Sequence, residues 1–291
     1  MSTVAGTIRT APARRRRARR RSVGTPLAYL AALLIVGITV VPVLYLVLNG
    51  FRTTPQINSR PAGLPHPWVL SNYRSILSSG AFWRYLGNSV LIATVATGLA
   101  VASGAMAAFA LSRYLFRGRE IVYTLFTLGL LFPLAVATLP LYLLLRDIGL
   151  LENLMGVAIP EAAFSLSVTI IILRPFMTAI PRELEDAAAL DGAGKIGFFW
   201  RIVLPLSKPA LATVAILAFV TSWNFYILPL VVFNDSAHFT LPLGVTTFQS
   251  QHTEDTARIM AFTALSMLPA LGVFVLAERR IVGALTGAIK G

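Results

Sequence analysis

The sequence predicts an all-α integral membrane protein with six transmembrane helices and both termini in the cytoplasm. Apolar residues make up 56% of the 291 residues and charged residues only 13%, whereas soluble domains average about 45–50% and about 25%. So little polar surface excludes a soluble globular enzyme and a disordered protein. The chain contains no cysteine, which excludes disulfides, thiolate metal sites and cysteine nucleophiles.

Six apolar segments are long enough to cross a bilayer. A spanning helix needs about 20 mostly apolar residues, because the hydrocarbon core is about 30 Å thick and each residue rises about 1.5 Å. Lipid cannot hydrogen-bond a backbone, so we expect these segments to be helical. One of them contains a charged residue, Glu161. The six segments are Leu27–Leu48, Tyr85–Ser112, Ile121–Leu145, Leu154–Leu173, Pro209–Phe233 and Ile259–Ala277.

Arginines crowd the tail formed by residues 1–26, at Arg14–Arg17 and Arg19–Arg21. A signal peptide also begins with basic residues, but its apolar region is shorter, about 7–15 residues, and is followed by a small-residue cleavage site. Here the apolar segment is longer, and Asn49–Arg52 is a poor cleavage site. We therefore expect an uncleaved signal anchor, with its basic tail attracted to anionic lipid headgroups.

Lys and Arg residues set the predicted orientation. With the N-terminus inside, the cytoplasmic side carries 19 of them and the outer side carries 6, as the positive-inside rule requires. The net charge of +13 therefore indicates membrane topology, and we expect no nucleic acid partner. The predicted organisation is a basic tail, a six-helix membrane domain over residues 27–277 and a cytoplasmic tail over residues 278–291.

Small residues in the second segment have the spacing that brings membrane helices together. Ser103, Gly104, Ala107 and Ala108 follow a small-xxx-small pattern, which lets two helix backbones approach closely. The pattern therefore predicts a tight helix–helix contact in this segment.

The loop over residues 174–208 is the one long loop on the cytoplasmic side. Pro181 suits the first position of a helix, where its missing N–H costs nothing. Acidic residues just after it favour the positive end of that helix, and Gly192 suits its end, where a left-handed backbone is common. A second, amphipathic helix follows, which we expect Pro205 and Pro209 to end. Two short helices joined at a glycine make a rigid element that can dock a partner.

This loop carries a family pattern. Asp186-Ala187-Ala188, then Gly192, then Ile202–Pro205 reproduce the spacing Glu-Ala-Ala, three residues, Gly, nine residues, Ile-x-Leu-Pro. The chain thereby resembles the permease subunits of binding-protein-dependent ABC importers, which implies a type I importer permease fold. Asp186 stands where the family usually has Glu, and Glu185 lies beside it. Either acid could therefore meet the ATPase.

Shorter motifs resemble the carbohydrate-uptake permeases of the maltose-permease type within that family. They are Asn72-Tyr73, Asn88-Ser89, Trp223–Phe225, Thr240–Gly244 and the C-terminal Gly283–Gly291. Each motif is short, and together they point to a sugar as the solute.

The resemblance implies a set of partners. They are a second, non-identical permease subunit, two ATPase subunits and an extracytoplasmic sugar-binding protein, assembled in the plasma membrane. ATP and Mg²⁺ would bind in the ATPase; we expect no cofactor in this chain, which would itself hydrolyse nothing. The residues implied to couple to the ATPase are Glu183, Glu185, Asp186, Ala187, Ala188, Asp191, Gly192, Ala193, Ile202, Leu204 and Pro205.

Glu161 is the first candidate for the substrate pathway. A carboxylate within a membrane helix is expensive and usually faces a cavity or a partner, so Glu161 is a candidate acceptor for a sugar hydroxyl or a gate residue. In the alternative, the helix starts later and Glu161 lies near the lipid headgroups.

Trp223, Asn224 and Tyr226 form a second candidate group within the fifth segment. Aromatic rings stack on the C–H faces of sugars, and an amide or hydroxyl can bond to sugar hydroxyls. Polar residues also join membrane helices to each other, so helix packing is an equal alternative for this group.

A secondary transporter driven by protons or sodium, with Glu161 as the coupling acid, is the competing function. That class typically shows repeated halves and broken helices at matching positions. The sequence shows neither, and this function gives no account of the patterned loop.

The three histidines, His66, His238 and His252, all lie in outer loops without metal-ligand spacing, so we expect no metal site.

Overall fold

The computed structural model describes residues 24–249 and 254–289, with side chains described over 28–249 and 254–275. The arginine clusters of the tail, His252 and the last two residues lie outside these ranges. The described chain is helical and contains no β-strand. Its helices are α1 (Gly24–Asn49), α2 (Thr54–Ser59), α3 (Ser71–Leu77), α4 (Gly80–Arg113), α5 (Arg119–Leu128), α6 (Leu134–Asp147), α7 (Leu154–Thr178), α8 (Glu183–Leu190), α9 (Lys195–Phe198), α10 (Leu204–Leu206), α11 (Lys208–Trp223), α12 (Ile227–Val232), α13 (Leu241–Gly244) and α14 (Thr256–Ile289).

Four of the described helices are long and apolar enough to cross a membrane: α1, α4, α7 and α14. Two bent pairs, α5 with α6 and α9–α10 with α11, raise the number to as many as six. The predicted all-helical membrane fold is thus confirmed, with four to six candidate spans in the described chain. The chain divides into two compact units, the first ending at Tyr45 within α1 and the second beginning at Leu46.

The third predicted segment is not one straight helix. A short 3₁₀ turn over Gly129–Leu131 follows α5, and the chain then bends by 101° into α6. Phe132, which precedes Pro133, is extended with φ −78° and ψ 113°, because a proline disfavours the helical conformation at the residue before it. The expectation of one unbroken helix over Ile121–Leu145 is therefore wrong, although the bent pair remains a candidate span.

The fifth predicted segment also breaks. Helix α11 ends at Trp223 and α12 begins at Ile227, so Asn224 and Tyr226 do not lie in mid-helix as expected. The Asn224 amide donates to the Val220 carbonyl at 2.7 Å, a local bond that competes with helix continuation. Pro229 has no N–H to donate to the residue four positions earlier, which further favours the break.

The sixth predicted segment extends further than expected. Helix α14 runs from Thr256 to Ile289, so the backbone of the predicted tail over residues 278–291 is helical as far as Ile289. The motif Gly283–Gly291 lies where side chains are not described.

The centre of the second unit is a close contact between α4 and α7. Gly104 and Ala108 of α4 are buried, and a methyl group at Gly104 would overlap the side chain of Thr169 on α7. This confirms the close packing predicted from the small residues. Ser103, in contrast, is exposed and bonds only within its own helix.

Asn72 of the first sugar-permease motif fastens the first outer loop. Its buried amide donates to the carbonyl oxygens of Gly50 at 3.0 Å and Arg52 at 2.8 Å. The Arg52 side chain is itself buried and donates to Asn49 Oδ1 at 2.7 Å and to the Arg60 carbonyl at 2.7 Å. Asn72 therefore holds the chain in place where α1 ends.

The second motif does the same for the outer segment after α12. Asn88 donates to the carbonyl oxygens of Ala237 at 2.9 Å and Phe239 at 3.0 Å, and Ser89 Oγ accepts from the Leu241 N–H at 2.8 Å. Both motif residues lie on α4. The motif thus joins that helix to the loop that precedes α13.

Glu152 makes a third outer link, between the α6–α7 loop and the residues after α12. Its carboxylate accepts from the backbone N–H of Asn234 at 2.6 Å and lies 3.3 Å from His238 Nδ1. Burial acts to raise the pKa of Glu152, but hydrogen bonds from Asn234 and Asp235 and the nearby His238 together lower this pKa below its ordinary value.

Candidate functional site

Helix α8 is the first part of the predicted coupling element. Its N-cap is Arg182, whose carbonyl accepts from the N–H groups of Glu185 at 2.8 Å and Asp186 at 3.0 Å. Pro181 therefore lies before the cap and not at the first helical position, so that expectation is wrong by two positions. The acids in the first turn stabilise the positive helix end, as predicted.

Gly192 ends this helix as the sequence predicts. Its φ is +78°, and the N–H groups of Gly192 and Ala193 donate to the carbonyls of Ala189 at 3.0 Å and Ala188 at 2.8 Å. These two bonds form a Schellman motif, which needs a left-handed residue after the helix. A methyl group at Gly192 would meet no neighbour, so only the backbone conformation demands glycine there.

The second helix of the element is longer than expected. It begins with α9, continues as a π-helical turn over Phe199–Val203, and ends with α10 before a 77° bend into α11. Pro205 lies inside α10 and does not end the helix, which contradicts our expectation. The bend occurs at Ser207, one residue before α11 begins.

Aromatic and branched side chains attach the coupling element to the membrane helices. Phe198, Phe199 and Val203 are buried in a cluster with Phe109 of α4 and Leu173 of α7. Ile202 and Leu204 are half-buried against this cluster, and Pro205 is exposed. Burying three large apolar side chains stabilises the attachment by roughly 1.5–3 kcal/mol each. The element is therefore a fixed projection and not a loose loop.

The opposite face of α8 is open. Leu190 is 90% exposed and Leu184 is 40% exposed, although leucine is mostly buried in proteins. Of the predicted coupling residues, Ala188 is buried and Glu185 and Ala193 are half-buried. Those that the structure leaves exposed on α8 and at its C-terminal end are Glu183, Asp186, Ala187, Asp191 and Gly192.

The two adjacent acids of α8 have different surroundings. Asp186 is exposed, whereas Glu185 turns toward the protein and lies 3.7 Å from Nη1 of Arg113. This ion pair engages Glu185 in part and leaves Asp186 as the more accessible of the two acids.

Glu161 lies inside α7, which begins at Leu154 as predicted. Glu161 is only 4% exposed and accepts a hydrogen bond from Ser222 Oγ on α11, while its Oε1 has no partner. The alternative in which the helix starts later is therefore wrong. A cavity of about 110 Å³ adjoins the carboxylate, lined in part by the hydroxyl-bearing Ser165, Thr169 and Thr221.

Trp223 faces away from that cavity. Its ring is 3% exposed and stacks on Phe219 with centroids 5.7 Å apart, and its Nε1–H donates to the Ser266 carbonyl of α14 at 3.2 Å. This geometry matches the packing alternative for Trp223. Asn224 and Tyr226 are exposed at the break between α11 and α12, where Phe225 between them lines the cavity.

The described chain thus combines a bundle of candidate membrane-spanning helices with a rigid element between α7 and α11 that is open on one face. Residues 98–285 match the family described as the binding-protein-dependent transport system inner membrane component. The chain belongs to this family, and it is a multi-pass permease subunit of an ABC importer rather than an enzyme.

Among the residues the structure describes, no group of three His, Asp or Glu side chains could hold a metal ion.

Two curated relatives are similar over nearly their whole length. The diacetylchitobiose uptake system permease protein NgcG of Streptomyces coelicolor is 32% identical, over 86% of this chain and 83% of its own. The trehalose transport system permease protein SugB of Mycobacterium tuberculosis is 34% identical, over 89% of this chain and 95% of its own.

A solved structure shares the fold. It belongs to a bacterial ABC transporter involved in the import of the acidic polysaccharide alginate, with a TM-score of 0.72 and 23% identity, over 89% of this chain and 98% of that chain. The comparisons give no support to an ion-coupled secondary transporter.

Proposed function

We propose that this chain forms part of a sugar translocation pathway and is driven by a separate ATPase that docks on α8. The relatives whose names specify diacetylchitobiose and trehalose support a sugar as the solute. The observation that carries the ATPase proposal is the open face of α8. There the side chains of Asp186 and of Leu190, which is 90% exposed, have no partner described within the chain.

The chemistry of this face fits a cleft on a partner protein. The short side chain of Ala187 lets another backbone approach α8 closely. Leu190 offers apolar surface of the kind found at interface cores. Asp186 and Glu183 present carboxylates that pair well with arginine. In this proposal ATP and Mg²⁺ bind in the ATPase, and this chain carries no cofactor.

The proposed pathway passes the cleft between α7 and α11. Glu161 contributes a buried carboxylate oxygen without a partner, and the hydroxyls of Ser165 and Thr221 line the same cavity. Asn224 and Tyr226 lie just beyond, at the end of α11. Trp223 supports this segment from behind through α14 and is not proposed to stack on the sugar.

Further subunits complete the proposed assembly. A second, non-identical permease supplies the other half of the pathway, and a second ATPase subunit pairs with the first. An extracytoplasmic binding protein delivers the sugar, which the family description as binding-protein-dependent supports. The assembly lies in the plasma membrane, with anionic lipid around the basic N-terminal residues.

The test is an Asp186→Lys variant of the full chain, expressed with its companion subunits. Reversing the charge on the open face of α8 should remove the ATPase from the purified complex, because a buried interface charge left without its partner costs several kcal/mol. Asp147→Lys is the matched control, an exposed aspartate at the end of α6. Retention of the ATPase by Asp186→Lys, at the level of the control, would contradict the docking proposal.

A further inference from the structure

Arg113, the last residue of α4, is the point where the coupling element meets two membrane helices. It is 9% exposed, and its side chain is 2% exposed. A guanidinium is always charged in proteins and is almost never buried without partners. Its surroundings therefore show what this buried charge does.

The guanidinium holds the end of α7. Its Nη2 donates to the carbonyl oxygens of Met177 at 2.9 Å and Ile180 at 2.6 Å, which belong to the last turn of α7 and the residues just after it. The planar fork of an arginine suits such paired acceptors, whereas a lysine offers a single point charge. Arg113 thus fixes the C-terminal ends of α4 and α7 to one another.

The same guanidinium reaches the coupling element on its other side. Its Nη1 lies 3.7 Å from a Glu185 carboxylate oxygen on α8, and its Cζ lies 5.9 Å from the centre of the Phe198 ring on α9. One side chain therefore contacts α7, α8 and α9, and through its own backbone belongs to α4. No other ion pair in the described chain involves α8.

The contact of Arg113 with Glu185 is longer than its hydrogen bonds to the end of α7. A charge-assisted hydrogen bond between nitrogen and oxygen is about 2.7–2.9 Å long, so 3.7 Å is an ion pair without a hydrogen bond. The Nε of Arg113 is also buried without a partner. The guanidinium therefore has capacity left for the α8 carboxylate, and its contact with α7 is already complete.

We propose that Arg113 is a positioning residue that transmits displacement of α8 into α4 and α7, with its ion pair to Glu185 as the adjustable contact. This inference rests on the proposed docking of an ATPase on α8. When the docked subunit pushes α8, the carboxylate closes on Nη1 and the guanidinium moves the end of α7 that it holds. Helix α7 carries Glu161, so the movement reaches the cavity between α7 and α11.

The experiment uses a thiol reporter in the assembled transporter. The chain has no cysteine, so Thr221→Cys places a single thiol of this chain at the cavity. Its labelling by a membrane-impermeant maleimide is measured without nucleotide and after trapping with ATP and orthovanadate. ATP hydrolysis and retention of the ATPase are measured on the same preparations.

Two variants are then compared with this parent, Arg113→Lys and Glu185→Gln. In both, the nucleotide-dependent change in labelling, compared at equal amounts of retained ATPase, should fall about fivefold or more, the lower end of ordinary coupling between sites. Glu185→Gln guards against misfolding, since it removes a charge from a half-exposed side chain and keeps its shape. Glu120→Gln is the matched control, because Glu120 pairs with Arg174 of α7 at 2.5 Å without touching α8.

Two results would overturn the inference. In the first, both variants keep the labelling change of the parent and of Glu120→Gln. In the second, Arg113→Lys and Glu185→Gln release the ATPase, which would make the pair part of the docking surface. Neither result depends on Asp186→Lys, so failure of this inference is distinguishable from failure of the docking proposal.

Discussion

Glu161 of α7 accepts a hydrogen bond from Ser222 of α11, and this bond joins two membrane helices inside the protein. The second carboxylate oxygen of Glu161 is left without a partner beside a cavity of about 110 Å³. A buried polar atom without a hydrogen bond costs about 1–3 kcal/mol. Such an atom is retained where it has a use, and a hydroxyl of a passing sugar is the partner that the proposed function supplies.

Replacing Glu161 by Gln should impair uptake without unfolding the chain. The amide keeps the shape but replaces one acceptor oxygen with an NH2 donor, and a buried polar group left without its partner costs about 1–3 kcal/mol. We expect the apparent KM of uptake to rise about tenfold or more. Uptake is measured in proteoliposomes with a disaccharide that the parent transports, chosen from a panel that includes trehalose and diacetylchitobiose. Ser165→Ala, which removes a neutral hydroxyl, should have a smaller effect. Unchanged kinetics in Glu161→Gln would remove this residue from the pathway.

The contact between α4 and α7 predicts that Gly104 tolerates no side chain. Gly104→Ala would press a methyl group against Thr169, and overpacking of this kind costs about 1–3 kcal/mol. The thermal unfolding midpoint in detergent should fall. Gly98→Ala on the same helix is the control, since its methyl group would meet no neighbour. Equal midpoints for the two variants would show that the predicted close approach is absent.

The positive φ of Gly192 predicts a graded series. An L-residue in the left-handed region costs about 1–2 kcal/mol, but asparagine accepts that conformation better than alanine does. Sugar-stimulated ATP hydrolysis should therefore be impaired more in Gly192→Ala than in Gly192→Asn, while both variants insert into the membrane normally. If alanine were as active as glycine, the capped geometry of α8 would not matter for coupling.

The outer link between Glu152 and the segment after α12 should be sensitive to acid. Its pKa is lowered in the folded protein, so the stabilisation is fully present above the unfolded value of about 4.3 and is lost as pH falls through the lower folded value. The thermal midpoint of Glu152→Gln should lie below that of the parent at pH 7, and the gap should close below about pH 4. Asp147→Asn, an exposed acid paired with Arg146, should show little gap at either pH. A gap that stays constant with pH would contradict the ionic nature of the link.

The sequence predicted the apolar segments and their helical class better than the shape of each segment. Twenty apolar residues are enough to predict a span, but the bend at Pro133 and the break after Trp223 depend on which backbone groups find other partners. The amide of Asn224 takes the Val220 carbonyl, a choice that hydropathy does not record. Pro205 misled us in the opposite direction, because a proline also fits the start of a new helical turn.

The candidate site divides in the same way. The spacing around Gly192 predicted the capped end of α8, since the cap depends on local backbone chemistry. The docking role of Asp186 stays a proposal. The spacing did not separate Asp186 from Glu185, and it did not single out Arg113, because the contact between α4 and α8 joins residues far apart in the chain. The sequence also left open whether Trp223 contacts substrate or packs against another helix. Its hydrogen bond to the Ser266 carbonyl on α14 shows that it packs.

Cross-linking from α8 tests the central claim most directly. Ala187→Cys places one thiol on the open face of an otherwise cysteine-free chain, and Asp147→Cys places one at the exposed end of α6, which the predicted topology assigns to the outer side. In the assembled transporter, a short bifunctional maleimide should join Ala187→Cys to the ATPase, with a yield that changes on addition of ATP, and should leave Asp147→Cys unjoined to it. Sugar transport by the purified chain alone, without nucleotide and without any cross-linked partner, would contradict the account.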